Sequence, residues 1–123
     1  MQTRGFYSTI MVEFNIHNHE PIAARLRQQA EADAIRITVH CHQEMVEEDI
    51  CFDEVREVLL NAAILENYPE HKRGPCCLSC GKTLRGRYVH VVCTTAFELT
   101  IIITVYEPKP PKWADPFTRG KPE

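Results

Sequence analysis

The chain lacks any run approaching the roughly 20 apolar residues that a helix needs to cross a bilayer, which argues against a membrane span. It also lacks an excess of positive charge. Fourteen Lys and Arg stand against 17 Asp and Glu, for a formal net charge of −3. That removes the global basic footprint expected of many nucleic-acid binders and leaves only a local patch to look for. The opening residues, MQTRGFYSTIMVEF, contain no long apolar segment of the secretory type, so the cytosol is the expected compartment. No internal repeat is visible, and 123 residues suffice for one domain with one modest core.

Cysteine is not scarce: Cys41, Cys51, Cys76, Cys77, Cys80 and Cys93. Without an export signal a disulfide framework is not expected. Metal binding, catalysis and buried thiols remain. One pattern is specific enough to weigh, Cys77-x2-Cys80 followed by His90-x2-Cys93, which has the spacing of a four-ligand zinc site. Strand parity opposes it. Both pairs lie three apart in β-like runs, so the members of each pair point to opposite faces. No metal and no cofactor is therefore expected, with zinc on Cys77, Cys80, His90 and Cys93 as the competing reading.

Apolar periodicity divides the chain into elements. Residues 1–18 form an N-terminal arm with a β-like stretch. Pro21 suits a first helical turn, and Ile22, Leu26 and Ala30 recur every four residues. A short β-branched run follows at 35–39. Cys41 and Met45 share a face of the next helix, and Val55, Val58, Leu59 and Ala62 make the stripe of another. Strands are expected at 64–68, 76–83, 87–94 and 99–106. Turns at Arg85-Gly86 and Thr95-Ala96-Phe97 join the last three. The prediction is an α+β domain over 19–113, with two or three helices on one face of a four-stranded antiparallel sheet. Residues 114–123 are expected to be a loose tail.

Alternation assigns the faces of the last hairpin. Leu99, Ile101, Ile103 and Val105 should join Val89, Val91 and Cys93 under the helices. Tyr88, His90, Val92, Thr100, Ile102, Thr104 and Tyr106 would then share the open face. Lys72-Arg73, Arg85 and Arg87 form the basic cluster nearest to it. A histidine, a tyrosine and arginines form a workable set for cleaving RNA without a metal. Imidazole moves protons near neutrality and guanidinium stabilises the phosphorane.

Five motifs occur in a specific order: ITVHCHQEM from Ile37, Asp49-Ile50, YPEHKRGPCCL from Tyr68, RYVHVVC from Arg87, and ITVYEP from Ile103 with Lys112-Trp113. In this order they resemble the bacterial domain-of-unknown-function family 4258 over about residues 35–113. The resemblance implies a RelE-like fold, similar to RelE-type and MqsR-type messenger-RNA interferases. It also implies the toxin of a type II toxin–antitoxin pair, acting on RNA. The implied partner is an antitoxin from an adjacent gene, for example a zinc-finger helix-turn-helix protein. The implied catalytic residues are His40, Arg73, His90 and Tyr106, with Trp113 binding substrate; the basic cluster adds Lys72, Arg85 and Arg87 as further substrate-binding residues. Glu44 and Glu48 stand where many members carry Arg, which lowers the positive charge of such an RNA face. Two other function classes stay open: a non-catalytic protein-binding module and a zinc-binding protein.

Overall fold

The computed structural model describes residues 19–120. The expected N-terminal arm, 1–18, lies outside these residues, as do 121–123. Helix α1 (Glu20–Glu31) has Pro at its start and buries Ala23, Leu26 and Ala30. Strand β1 (Ile35–Ile37) leads directly into α2 (Val39–Glu48). Thr38 caps α2, its hydroxyl accepting from the Cys41 N–H at 3.1 Å. Asp49 closes it in the left-handed region, with φ 56°. Helix α3 (Phe52–Leu60) follows, and the Cys51 N–H donates to Glu54 Oε1 at 3.3 Å across its first turn.

The remaining strands are β2 (Ala63–Tyr68), β3 (Cys76–Lys82), β4 (Tyr88–Thr94) and β5 (Thr100–Tyr106). They form one sheet in the order β1-β5-β4-β3-β2. Among the described residues, the α+β class and the three helices agree with the sequence reading. The sheet does not. It has five strands rather than four, and it is mixed, because β1 pairs with β5 in parallel, Ile35 opposite Thr100. Three residues were too few for periodicity to separate a strand from an extended lead-in to a helix.

The three helices and one face of the sheet share a single core. Leu26, Cys41, Met45, Val55, Val58 and Leu59 meet Cys77, Val89, Val91, Cys93, Ile102 and Val105. Helix α3 lies against β3 at Gly81, where a Cβ would come within 2.8 Å of the Val58 carbonyl oxygen, so only glycine admits this approach.

One irregularity changes the expected faces. Opposite the adjacent pair Val92–Cys93, β5 places Thr104 and then Ile102, so Ile103 is an extra residue. The bulge shifts the parity of everything before it. Thr100 and Ile102 are fully buried, and Ile102 belongs to the core. Ile101 and Ile103, expected beneath the helices, instead line the opposite face.

The described chain after β5 also folds into regular structure. Two short strands, β6 (Trp113–Asp115) and β7 (Thr118–Arg119), pair in a small antiparallel hairpin, so residues 114–119 are not the loose tail that their composition suggested. Trp113 is 2% exposed, and Arg119 lies over its indole at 4.6 Å while bonding Glu66 of β2 through two nitrogens. This hairpin covers part of the sheet face that the helices leave bare.

Candidate functional site

His90 and Tyr106 are opposite each other across β4 and β5, as strand parity required. They are not open to solvent. His90 is fully buried beneath the β6–β7 hairpin, with the Trp113 ring edge-on at 4.4 Å. Both ring nitrogens are engaged. His90 Nε2 donates to the Pro116 carbonyl at 2.7 Å, and Nδ1 accepts from the Tyr106 hydroxyl at 3.1 Å. Burial, the largest influence, holds His90 below its ordinary value despite the Pro116 bond, and burial likewise raises Tyr106. The expectation of a free His90 face is thus corrected: the chain's own C-terminal hairpin occupies it. Sequence reading missed this because the hairpin's two large apolar residues, Trp113 and Phe117, stand in a short polar segment without strand alternation.

The basic cluster also divides. Arg85 bonds Glu54 on the helix side of the molecule. Arg87 donates to the Glu48 and Asp49 carbonyls at 3.0 and 2.6 Å, the C-terminal end of α2, and also pairs with Glu107. Burial pushes Glu54 up, but the Cys51 N–H and the two arginines outweigh it and leave the carboxyl below its usual range. Arg85, Arg87 and Trp113 are therefore committed to internal partners, away from Lys72 and Arg73.

The zinc pattern is split by the sheet. Cys77 and Cys93 pair across β3 and β4 on the core side, whereas Cys80 pairs with His90 on the hairpin side. Burial raises the Cys80 thiol to about 11, and the bond to Cys77 together with burial raises Cys93 well above its ordinary value, so these thiols are protonated. Among the described residues, no three His, Cys, Asp or Glu side chains are grouped to hold a metal ion.

Two of the expected catalytic residues do converge elsewhere. His40, Arg73 and Lys72 line one cavity of about 590 Å³, together with His71. Its floor is apolar: Val92 of β4, and Ile101 and Ile103 of β5. Phe97, from the β4–β5 turn, forms a wall. None of the lining residues is Asp or Glu.

His40 stands in the first turn of α2 and is held from one side. Its Nε2 lies 3.1 Å from Glu44 Oε2, one helical turn on. Glu44 is itself anchored: its Oε1 accepts from the Thr104 hydroxyl and, at 3.0 Å, from the Val105 N–H. Glu48 accepts in the same way from the Glu107 N–H at 3.0 Å. Strand β1 covers β5 only as far as Ile102, and these two carboxylates serve the edge donors beyond it. Glu44 and Glu48 thus have a local structural role. His71 was not singled out from the sequence. Its signal was a histidine beside Lys-Arg in a loop bounded by two strands. Its Nδ1 accepts from the Arg73 N–H at 3.2 Å.

Among the described residues, no helix is long and apolar enough to cross a membrane. No curated protein and no solved structure matches the chain. A family model described as a domain of unknown function (DUF4258) matches residues 37–107. The match runs from the end of β1 to just past β5, more than half of the sequence, and takes in His40, His71, Lys72 and Arg73; the chain belongs to this DUF4258 family.

Proposed function

We propose that this protein is an endoribonuclease that cleaves RNA with its own side chains in the groove lined by His40, His71, Lys72 and Arg73. The observation that carries the reading is the meeting of two imidazoles and two cations over an apolar floor free of carboxylates, in a chain of net charge −3. Glu44 takes the Nε2–H of His40, which leaves the Nδ1 lone pair to accept the proton of a ribose 2′-hydroxyl. The 2′-oxygen then bonds to the adjacent phosphorus, and the bond from phosphorus to the 5′-oxygen breaks. His71 returns a proton to that leaving oxygen. Lys72 and Arg73 offset the charge gathering on the phosphorane. The products are a 2′,3′-cyclic phosphate and a free 5′-hydroxyl.

In this reading His90 and Tyr106 maintain the sheet beneath the hairpin and do not touch the substrate. The family resemblance supports the wider proposal of a RelE-like toxin of a type II pair, held in check by an antitoxin from an adjacent gene. A second reading, a non-catalytic binding module, draws on Val39 and Val46, which are 78% and 79% exposed and seven residues apart on α2.

The test is cleavage of a defined RNA by purified protein in chelator, with sequencing of the new ends. His40→Ala should lower the rate on the order of 10²–10⁴-fold. His40 is exposed, so the variant should keep its fold. Wild-type protein that leaves RNA intact, or cleavage indifferent to His40, would favour the binding module.

A further inference from the structure

The groove's cations account for a phosphate, but they do not explain its floor. Val92, Ile101 and Ile103 present aliphatic side chains to a concave surface, and Ile103 is there only because of the bulge in β5. Cys76 beside them is a protonated thiol, raised chiefly by burial, so the floor carries no charge. A phosphate-binding surface alone requires none of this.

Phe97 supplies the second half of the argument. Its side chain belongs to a residue that is 42% exposed, unusual for so large an apolar group, yet its position is fixed. The Phe97 carbonyl accepts from Arg25 Nη2 at 2.6 Å and from Gln29 Nε2 at 2.9 Å, which ties the β4–β5 turn to α1. The ring lies against Gly74, where a Cβ would stand 3.3 Å from Phe97 Cζ. Gly74 adopts φ 108°, a conformation that side chains avoid, and directly follows Arg73. An aromatic ring thus packs on the residue that follows Arg73 and lines the same groove as the uncharged apolar floor.

We infer that this floor and Phe97 seat an unstacked nucleobase, so that the groove takes single-stranded RNA and not a duplex. The inference rests on reading the groove as an RNA site and assigns the form of RNA it accepts. A base in a duplex has both faces covered by its neighbours and cannot enter a concave seat. A base in a single strand turns out at small cost and gains a ring to stack on. The volume of about 590 Å³ falls within the roughly 300–1,000 Å³ typical of pockets for small ligands, the size class of a nucleotide. The complementarity is of charge as well as shape. Two other cavities include Asp53 and Glu57 in their walls, whereas this one has Lys72 and Arg73 and no carboxylate.

The experiment measures binding apart from cleavage. A fluorescein-labelled 2′-O-methyl RNA 12-mer lacks the attacking hydroxyl, so its anisotropy reports affinity alone. It is compared with a duplex of the same sequence. The single strand should bind at least about fivefold more tightly than the duplex. Phe97→Ala should weaken the single strand by about 5–100-fold, the range of one lost base stack. Phe97→Tyr, which keeps an aromatic face, should bind like the wild type. Leu84→Ala, on the β3–β4 turn, should change nothing. Equal or tighter duplex binding, or a Phe97→Ala variant with unaltered affinity, would overturn the inference, as would failure of both RNAs to bind. Cleavage of unmodified RNA is scored separately. Catalysis that depends on His40 but not on Phe97 leaves the nuclease standing and removes the base seat. Binding that depends on Phe97 without cleavage does the reverse.

Discussion

Replacing Trp113 by Ala tests whether the C-terminal hairpin is part of the folded domain or merely lies on it. The indole is 2% exposed, and an aromatic of this kind buries roughly 150–250 Å². At about 25 cal/mol per Å² this corresponds to about 4–6 kcal/mol, an upper figure because the unfolded chain already covers part of the ring. Two specific contacts add to it, the edge of the ring against His90 and the Arg119 guanidinium over its face. The second is worth only about 0.5–1 kcal/mol, since the Arg119 side chain is 52% exposed. Relaxation limits the loss from the other direction, because a short terminal hairpin can come away and let water reach His90. The expected loss is therefore about 3 kcal/mol, the lower end of the range for deleting a buried Trp. In urea this lowers the midpoint by roughly 1–2 M. Trp113 is the sole tryptophan, so its fluorescence in the wild type reports hairpin docking directly. Fluorescence and far-UV circular dichroism should trace one coincident transition. Circular dichroism then follows Trp113→Ala, while NMR titration of His90 should show its value rising toward that of an ordinary histidine. A loss below about 1 kcal/mol with His90 unchanged would refute the packing argument. So would a wild-type fluorescence transition well ahead of the dichroism.

Two further outcomes follow from the same contacts. Burial favours neutral His90 in the fold, so its contribution to stability is complete above the unfolded value of 6.5 and is lost as pH falls below it toward the lowered folded value; urea midpoints should drop between pH 7 and 5, and a flat or opposite trend would contradict the buried imidazole. Gly81→Ala should cost about 1–3 kcal/mol, because the new methyl meets backbone atoms of Val58 at 2.8 and 2.9 Å and α3 must move off the sheet; a thermal melt showing no loss would mean that α3 does not lie so close.

Much of the candidate site was legible one residue at a time but not as a set. His40 came from the family resemblance, as the residue at the opening of α2, and Lys72-Arg73 from charge in a loop beside the sheet. Their meeting over Ile101 and Ile103 was not legible, because the bulge that turns these residues outward is a property of the β4–β5 pairing. Neither strand's own alternation contains it. Arg85 and Arg87 looked equivalent to Lys72 and Arg73 as charges. Only the fold shows that their partners, Glu54 and the end of α2, lie on the helix side.

Features that depend on neighbours a few residues apart were readable from the order of the amino acids. Apolar spacing and local hydrogen bonding placed three helices and the β2–β5 strands. Strand parity set His90 opposite Tyr106 and divided Cys77 from Cys80, which was enough to break the zinc pattern. Contacts between distant segments emerged only in the folded molecule: the parallel pairing of β1 with β5, the Glu44 and Glu48 carboxylates on the β5 edge, and the hairpin folded over His90. The difference lies in the range of the forces involved. Backbone hydrogen bonding within a turn is encoded in a short window, whereas a three-residue strand or a single Trp113 acquires its place only from the surface that it covers.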